Sequence, residues 1–139
     1  MQELLPIAAR IGARLKERKE TVAVSESSAG GLISAALLAV PGASVYFQGG
    51  GIIYTRIAGK ELFDITREQI AGMRSSSEPY ALFMARTVRN KLSATWGLCE
   101  TGAAGPTGNR YGDAAGHSCF AAAGPDEKSL TRETGSEDI

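Results

Sequence analysis

Residues 21–38 read Thr-Val-Ala-Val-Ser-Glu-Ser-Ser-Ala-Gly-Gly-Leu-Ile-Ser-Ala-Ala-Leu-Leu. An apolar run passes through hydroxyls and two glycines directly into a second apolar run of good helix formers. Such a junction is a short buried strand feeding a helix, and it restricts the chain to folds in which strands and helices alternate. A helix that opens on small residues leaves its first N–H groups uncovered, so the junction is expected to receive a phosphate, carboxylate or oxyanion. Ser27 and Ser28 add hydroxyls that can bind a ligand, cap the helix or attack a carbonyl. The simpler alternative is that Ser28 is an N-cap and that Gly30 and Gly31 allow close helix packing.

The flanking segments fit this pattern. Residues 2–19 place Leu4, Leu5, Ala8, Ile11 and Leu15 on one helical face. Pro41-Gly42 ends the helix predicted from about Gly30 to Val40. Three consecutive glycines, Gly49 to Gly51, point to close approach of a backbone or ligand, and the next strand is expected over Gly51 to Thr55, with Tyr54 at its carboxyl edge. Thr66-Arg67-Glu68-Gln69 has the spacing of a capping box. Ser77-Glu78-Pro79 opens a longer helix with Ala81, Ala85, Val88 and Leu92 as its buried stripe.

Trp96 to Glu100 reads as a strand, and it runs into a second small-residue loop, Thr101-Gly102-Ala103-Ala104-Gly105-Pro106-Thr107-Gly108-Asn109. Alone, each loop is an ordinary connection. Two of them leaving predicted parallel strands predict one shared ligand site, because parallel strands place their carboxyl ends at one edge. Ser118 to Ala123 and Leu130 to Thr134 complete the strands, joined by a turn at Gly124-Pro125-Asp126. The expected architecture is a single α/β domain over residues 1–139: three layers, a mostly parallel sheet between helices, and an antiparallel hairpin at the end.

Charge and composition exclude several functions. Fifteen Lys and Arg balance fifteen Asp and Glu, which leaves no electrostatic case for nucleic acid or an anionic membrane. The longest apolar run, Leu32 to Val40, falls short of the roughly 20 residues that cross a bilayer, and no signal peptide opens the chain; a cytoplasmic protein is expected. Cys99 and Cys119 lack a Cys-x-x-Cys or His cluster, so free buried thiols and no metal site are expected. His117, the one histidine, follows Asp113 closely; a Ser44/His117/Asp113 triad is conceivable, but a structural histidine is the preferred alternative.

Five ordered blocks carry a resemblance. Glu26-Ser27-Ser28-Ala29-Gly30-Gly31, Pro41-Gly42-Ala43-Ser44, Gly50-Gly51-Ile52-Ile53-Tyr54, Ser77-Glu78 and Thr101-Gly102-Ala103-Ala104-Gly105-Pro106 resemble the CinA C-terminal domain family over nearly the whole chain. Active members of that family are nicotinamide mononucleotide amidohydrolases, which convert a carboxamide to a carboxylate and ammonia and resemble Ser-Lys-Tyr hydrolases without a cofactor or metal. The resemblance implies Ser44 as nucleophile and Tyr54 as its proton-handling partner. It also implies substrate contacts from Ser27, Ser28, Gly30 and Gly31 in the first loop and from Thr101, Gly102, Ala103 and Gly105 in the second. A small nucleotide or amide is the implied ligand and a homo-oligomer the expected state.

The chain departs from the family pattern at three places. The family lysine lies five residues after the tyrosine, at Gly59, and Lys60 follows one step later, turned by about 100° if the segment is helical. Arg56 cannot serve as the base in its place, because a guanidinium stays protonated. Ser28-Ala29 stands where the family usually has Cys-Thr, and Ile139 stands near the place of an arginine that precedes a terminal helix in the family. An uncovered sheet face, or a subunit filling it, is therefore expected. The alternative to an amidase is a nucleotide-binding or assembly module of the same fold with little or no turnover.

Overall fold

The computed structural model describes residues 1–103 and 116–134. Gly105 and the rest of the excursion after Ala103 lie outside the described residues, as does the chain end. In order, the elements are α1 (Leu4–Arg18), β1 (Val22–Glu26), α2 (Leu32–Leu38), a 3₁₀ turn (Ala43–Val45), β2 (Phe47–Ile52), α3 (Arg56–Phe63), α4 (Arg67–Ile70), α5 (Glu78–Lys91), β3 (Trp96–Ala103), β4 (His117–Ala123) and β5 (Glu127–Glu133).

The five strands form one sheet in the order β2-β1-β3-β4-β5. β1 pairs parallel with both β2 and β3, whereas β3–β4 and β4–β5 are antiparallel. The expected α/β layering and closing hairpin are present, and the antiparallel part extends one strand further in, making the sheet evenly mixed. Because β1 and β3 are parallel neighbours, the loops that leave them emerge at the same sheet edge.

Helices cover both faces. Ala23, Cys99, Cys119, Ala121 and Ala123 meet Ala81, Met84, Ala85 and Val88 of α5. The opposite side of β1 presents Val22 and Val24 to Ala8 and Leu15 of α1 and to Ala36 and Leu37 of α2. Tyr46 seals this second layer: its ring is fully buried and its hydroxyl donates to the Leu37 carbonyl at 2.5 Å. Burial pushes the Tyr46 phenol above its ordinary range. A Cβ at Gly97 would lie 1.9 Å from the Ala85 carbonyl oxygen, so the contact between β3 and α5 requires glycine there.

Several local expectations hold. Thr66 and Gln69 form a reciprocal capping box, and Ser77 caps α5 by accepting the Tyr80 N–H. Others need correction. α1 buries Ala8, Gly12 and Leu15 and leaves Leu5 and Ile11 exposed, so its inward stripe is narrower than its apolar sequence. α2 is shorter than the predicted helix at both ends. β2 begins at Phe47 rather than Gly51, because the glycine run itself pairs with β1, with Gly50 beside Val24. Phe120 and Leu130, cross-strand partners on β4 and β5, lie on the sheet face away from α5, and Leu130 is exposed.

Candidate active site

The first loop is built on two buried glutamates. Glu26, at the end of β1, accepts the N–H groups of Gly31, Ile33 and Ser34 at 3.2, 2.9 and 2.8 Å. Glu100, on the adjacent strand β3, accepts the N–H groups of Ser27 and Ala29 at 3.0 and 2.8 Å and the Ser28 hydroxyl at 2.5 Å. Both side chains are almost completely buried. The start of α2 and the bend before it are therefore already filled by the chain's own carboxylates. This corrects the expectation of an uncovered helix terminus, and Ser28 is not an N-cap: its hydroxyl donates to Glu100. Gly31 is the N-cap residue, in left-handed conformation at φ 105°.

The glutamates hold the loop as one wall of a cleft of about 470 Å³ at the carboxyl edge of the sheet. Ser27, Tyr54, Thr101 and Gly102 line it, joined by Thr55, Arg56, Ser75, Ser76 and Tyr80. The two small-residue loops therefore meet at one rim, as the strand directions required. Among the described lining residues Arg56 is the one cation, and no carboxylate faces the space. Sequence reasoning missed Arg56 as a lining residue of the cleft, and also missed Ser75, Ser76 and Tyr80, which come from the start of α5 and the segment before it. Ser76 has φ 59° and donates its N–H to the Thr101 hydroxyl at 3.3 Å, which ties that segment to the second loop.

The residues considered for catalysis, Ser44 as nucleophile, Tyr54 as its partner and Lys60 as the base in place of the family lysine, do not converge within one chain. Tyr54 follows β2, lines the cleft and is 74% exposed. Ser44 lies in the 3₁₀ turn before β2, at the other end of that strand. At about 3.3 Å per residue, the six residues of β2 alone separate the two ends by close to 20 Å. α3 begins at Arg56, capped by Thr55 through the Ala58 N–H at 3.1 Å. On this helix Gly59 is buried toward Ile53 and Ile65 and Lys60 is exposed; both line a neighbouring cleft that also carries Glu61, Asp64 and Glu68. The one-residue offset in sequence thus becomes a change of helix face.

Behind the cleft, His117 is buried on β4. Its Nδ1 lies 2.8 Å from a Glu133 carboxylate oxygen and its Nε2 lies 2.8 Å from the Ser76 carbonyl. The Ser76 carbonyl also accepts from the Cys119 thiol at 3.3 Å. His117 thus braces the Ser76 turn against the sheet. Ser44 is remote from it, at the other sheet edge, and Asp113 is outside the described residues. Both cysteines are free and buried, and burial is the main cause that pushes the Cys99 thiol far above its ordinary range.

A mixed five-stranded sheet between helices, with a hydroxyl-lined cleft where two glycine-containing loops leave parallel strands, defines an α/β domain with an open cleft at the carboxyl edge of its sheet. The CinA C-terminal domain family model matches residues 4–138, and the chain belongs to that family. A CinA-like protein of Gloeobacter violaceus is 37% identical over 121 residues, covering 87% of this chain and 28% of that protein. Another, from Synechocystis, is 44% identical over 102 residues, covering 73% of this chain and 24% of that protein. The chain thus spans less than a third of the length of these relatives.

Solved structures of similar fold include an Escherichia coli competence-damaged protein (CinA) superfamily protein, with TM-score 0.89 and 21% identity over 96% of this chain and 78% of that one. The competence/damage inducible protein CihA of Agrobacterium tumefaciens gives TM-score 0.81 at 27% identity, covering 94% of this chain and 79% of its own. No helix among the described residues is long and apolar enough to cross a membrane.

Proposed function

We propose that this chain is an amidohydrolase-type domain that binds nicotinamide mononucleotide and hydrolyses its carboxamide to a carboxylate and ammonia. The observation that carries this reading is the cleft in which Ser27, Tyr54, Thr101 and Gly102 share one rim with Arg56. Its size suits a small ligand, its hydroxyls suit a polar amide, and Arg56 supplies the positive charge that a phosphate seeks.

In the reaction, a serine oxygen adds to the amide carbon as its proton passes to a base, and hydroxyls of the cleft steady the oxyanion. The tetrahedral intermediate collapses as the amine takes a proton and leaves as ammonia. Water then hydrolyses the acyl-serine to the carboxylate. In this reading Tyr54 hands on the proton and Lys60, exposed on α3, is the candidate base. Two hydroxyls compete for the attacking role: Ser44, which holds the family position, and Ser27, which lies on the cleft of the same chain. Glu26 and Glu100 act as positioning residues for the first loop.

Ammonia release from nicotinamide mononucleotide by the purified protein, compared with Ser44→Ala, Ser27→Ala and Tyr54→Phe variants, tests this directly. Turnover lost in Tyr54→Phe and in one serine variant supports the reading. No release by the wild-type protein at any substrate concentration overturns it. The rival reading, a nucleotide-binding module without turnover, is favoured by Lys60, which lines the neighbouring cleft and not the one that holds Tyr54; nucleotide binding without ammonia supports that alternative.

A further inference from the structure

Ser76 takes the left-handed conformation at φ 59°, which an L side chain keeps only where its surroundings enforce it. Both of its backbone groups are occupied. The N–H donates to the Thr101 hydroxyl at 3.3 Å, and the carbonyl accepts from His117 Nε2 at 2.8 Å and from the Cys119 thiol at 3.3 Å. Ser75, Ser76 and Tyr80 line the cleft, and Thr101 lines it from the end of β3, so the turn that His117 holds is where two parts of the cleft wall join. His117 itself is 6% exposed and lies on β4 behind that wall, opposite Ala103 of β3 and Glu133 of β5.

The partners of the imidazole determine its charge. A carbonyl oxygen only accepts, so Nε2 carries a proton. Nδ1 lies 2.8 Å from an oxygen of Glu133, whose side chain is 60% exposed; a carboxylate holds no proton near neutral pH and likewise only accepts. Either neutral tautomer would set a nitrogen lone pair against an oxygen. Among the described residues, the other titratable groups around the ring are the Cys119 thiol, 3.7 Å from Nε2, and, one hydroxyl further, Glu78 of α5, which holds the Thr131 hydroxyl beside that thiol. Arg74, two residues before Ser76, is exposed. We propose that His117 works as an imidazolium clamped between Glu133 and the Ser76 carbonyl, that in this form it positions the part of the cleft wall made by Ser75 and Ser76, and that loss of its proton loosens that wall. The proton that leaves is the one on Nδ1, because Glu133 can turn to water and the carbonyl of the buried Ser76 cannot. The remaining bond to Ser76 passes from charge-assisted to neutral and loses roughly half its strength. The effect on a ligand rests on the nucleotide reading of the cleft; the clamp does not.

His117 is the one histidine in the chain, so protein isotope-labelled at the imidazole nitrogens shows a single ring by nuclear magnetic resonance. At neutral pH both ring nitrogens should be protonated, and the ring should lose its proton above the ordinary histidine value of about 6.5. The Ser76 and Thr101 amide signals should move at the same midpoint. Glu133→Gln, at an exposed strand end, removes the charge and should lower that midpoint by at least about one pH unit, a tenfold change in proton affinity. A raised midpoint contributes stability that is present below the ordinary histidine value and lost as pH rises through the folded one, so the wild-type melting temperature should fall over that interval and that of Glu133→Gln should fall less. In calorimetric titration, nicotinamide mononucleotide should bind the wild type about threefold more weakly above the midpoint than below it. His117→Gln, whose amide can still donate to Ser76 but does not titrate, should bind equally on both sides. A ring with one protonated nitrogen at neutral pH, or Ser76 and Thr101 signals that ignore its titration, overturns the clamp even where the nucleotide binds, and equal wild-type affinity on both sides overturns its role in the cleft. Coupled ring and turn signals in a protein that binds no nucleotide support the clamp and overturn the nucleotide reading instead.

Discussion

Glu100 reaches from β3 to the Ser28 hydroxyl, 72 residues away in sequence, and accepts its proton at 2.5 Å. With the Ser27 and Ala29 N–H groups on the same carboxylate, one side chain fixes the whole first loop. Glutamine at this position keeps one acceptor oxygen, while alanine leaves three part-buried donors without their partner, each costing up to about 1–3 kcal/mol. Glu100→Ala is therefore expected to lose several kcal/mol in urea unfolding and Glu100→Gln distinctly less. Equal losses would contradict the assignment.

Glu26 performs the corresponding task for α2. Its carboxylate takes three N–H groups at a helix terminus, where negative charge is favourable. Glu26→Ala should cost about 2–4 kcal/mol and expose an anion site that is closed in the wild type. Sulfate should then raise the melting temperature of the variant more than that of the native protein. An equal rise in both would place the anion elsewhere.

Glu78 connects α5 to the final strand by accepting the hydroxyls of Ser129 and Thr131 at 2.6 and 2.7 Å. These two bonds hold its carboxyl below the ordinary carboxylate range. A lowered folded-state pKa contributes stability above the ordinary range, at about pH 4 and higher, and that contribution is lost as pH falls through the folded value. Melting curves from neutral to acid pH should show a shallower fall for Glu78→Gln than for wild type. Parallel curves would remove Glu78 from the acid response.

Gly97 is where β3 and α5 meet backbone to backbone. A methyl group there would lie 1.9 Å from the Ala85 oxygen and 2.8 Å from Arg89 Cβ, with no flexible side-chain end to yield at the nearer contact. Gly97→Ala should destabilise by at least about 3 kcal/mol or prevent folding, the upper range for overpacking. A near-native melting temperature would mean that the helix moves away easily.

Much of this architecture was legible because its signals are local. The Thr66 capping box, the Ser77 cap and the turn at Gly124-Pro125-Asp126 each act within a few residues, and the strand-to-loop junctions at Ser25 and Glu100 determined which edge would hold a ligand. The rest depends on neighbours distant in the chain. Nothing near Ser28 announces that Glu100 will occupy its hydroxyl and the flanking N–H groups. Glycine disfavours strands, so the run at Gly49 delayed the predicted start of β2, although pairing with β1 outweighs that preference. Extending β2 back to Phe47 is what moves Ser44 to the other end of the sheet from Tyr54. The inward face of Gly59 likewise follows from where α3 begins, which the Thr55 cap decides.

Lysine substitution at Gly59 probes that register. A Cβ there meets only ordinary contacts, 3.5 Å to Ile65 Cδ1 and 3.6 Å to Ile53 Cγ2, and Ile53 lines the cleft. A base at the reacting group is commonly worth about 10²–10⁴ in rate. Gly59→Lys is expected to raise ammonia release at least tenfold at alkaline pH. A folded variant with unchanged turnover would show that this face of α3 does not serve the reaction.

Arg56 offers the most direct test of the cleft itself. Calorimetric titration of nicotinamide mononucleotide, set beside nicotinamide riboside, which lacks the phosphate, should show the nucleotide binding the wild-type protein at least tenfold more tightly, and Arg56→Ala should abolish that preference while leaving riboside affinity unchanged. Equal affinities for the two ligands in the wild type, or a preference that survives Arg56→Ala, would contradict a nucleotide site at this edge of the sheet.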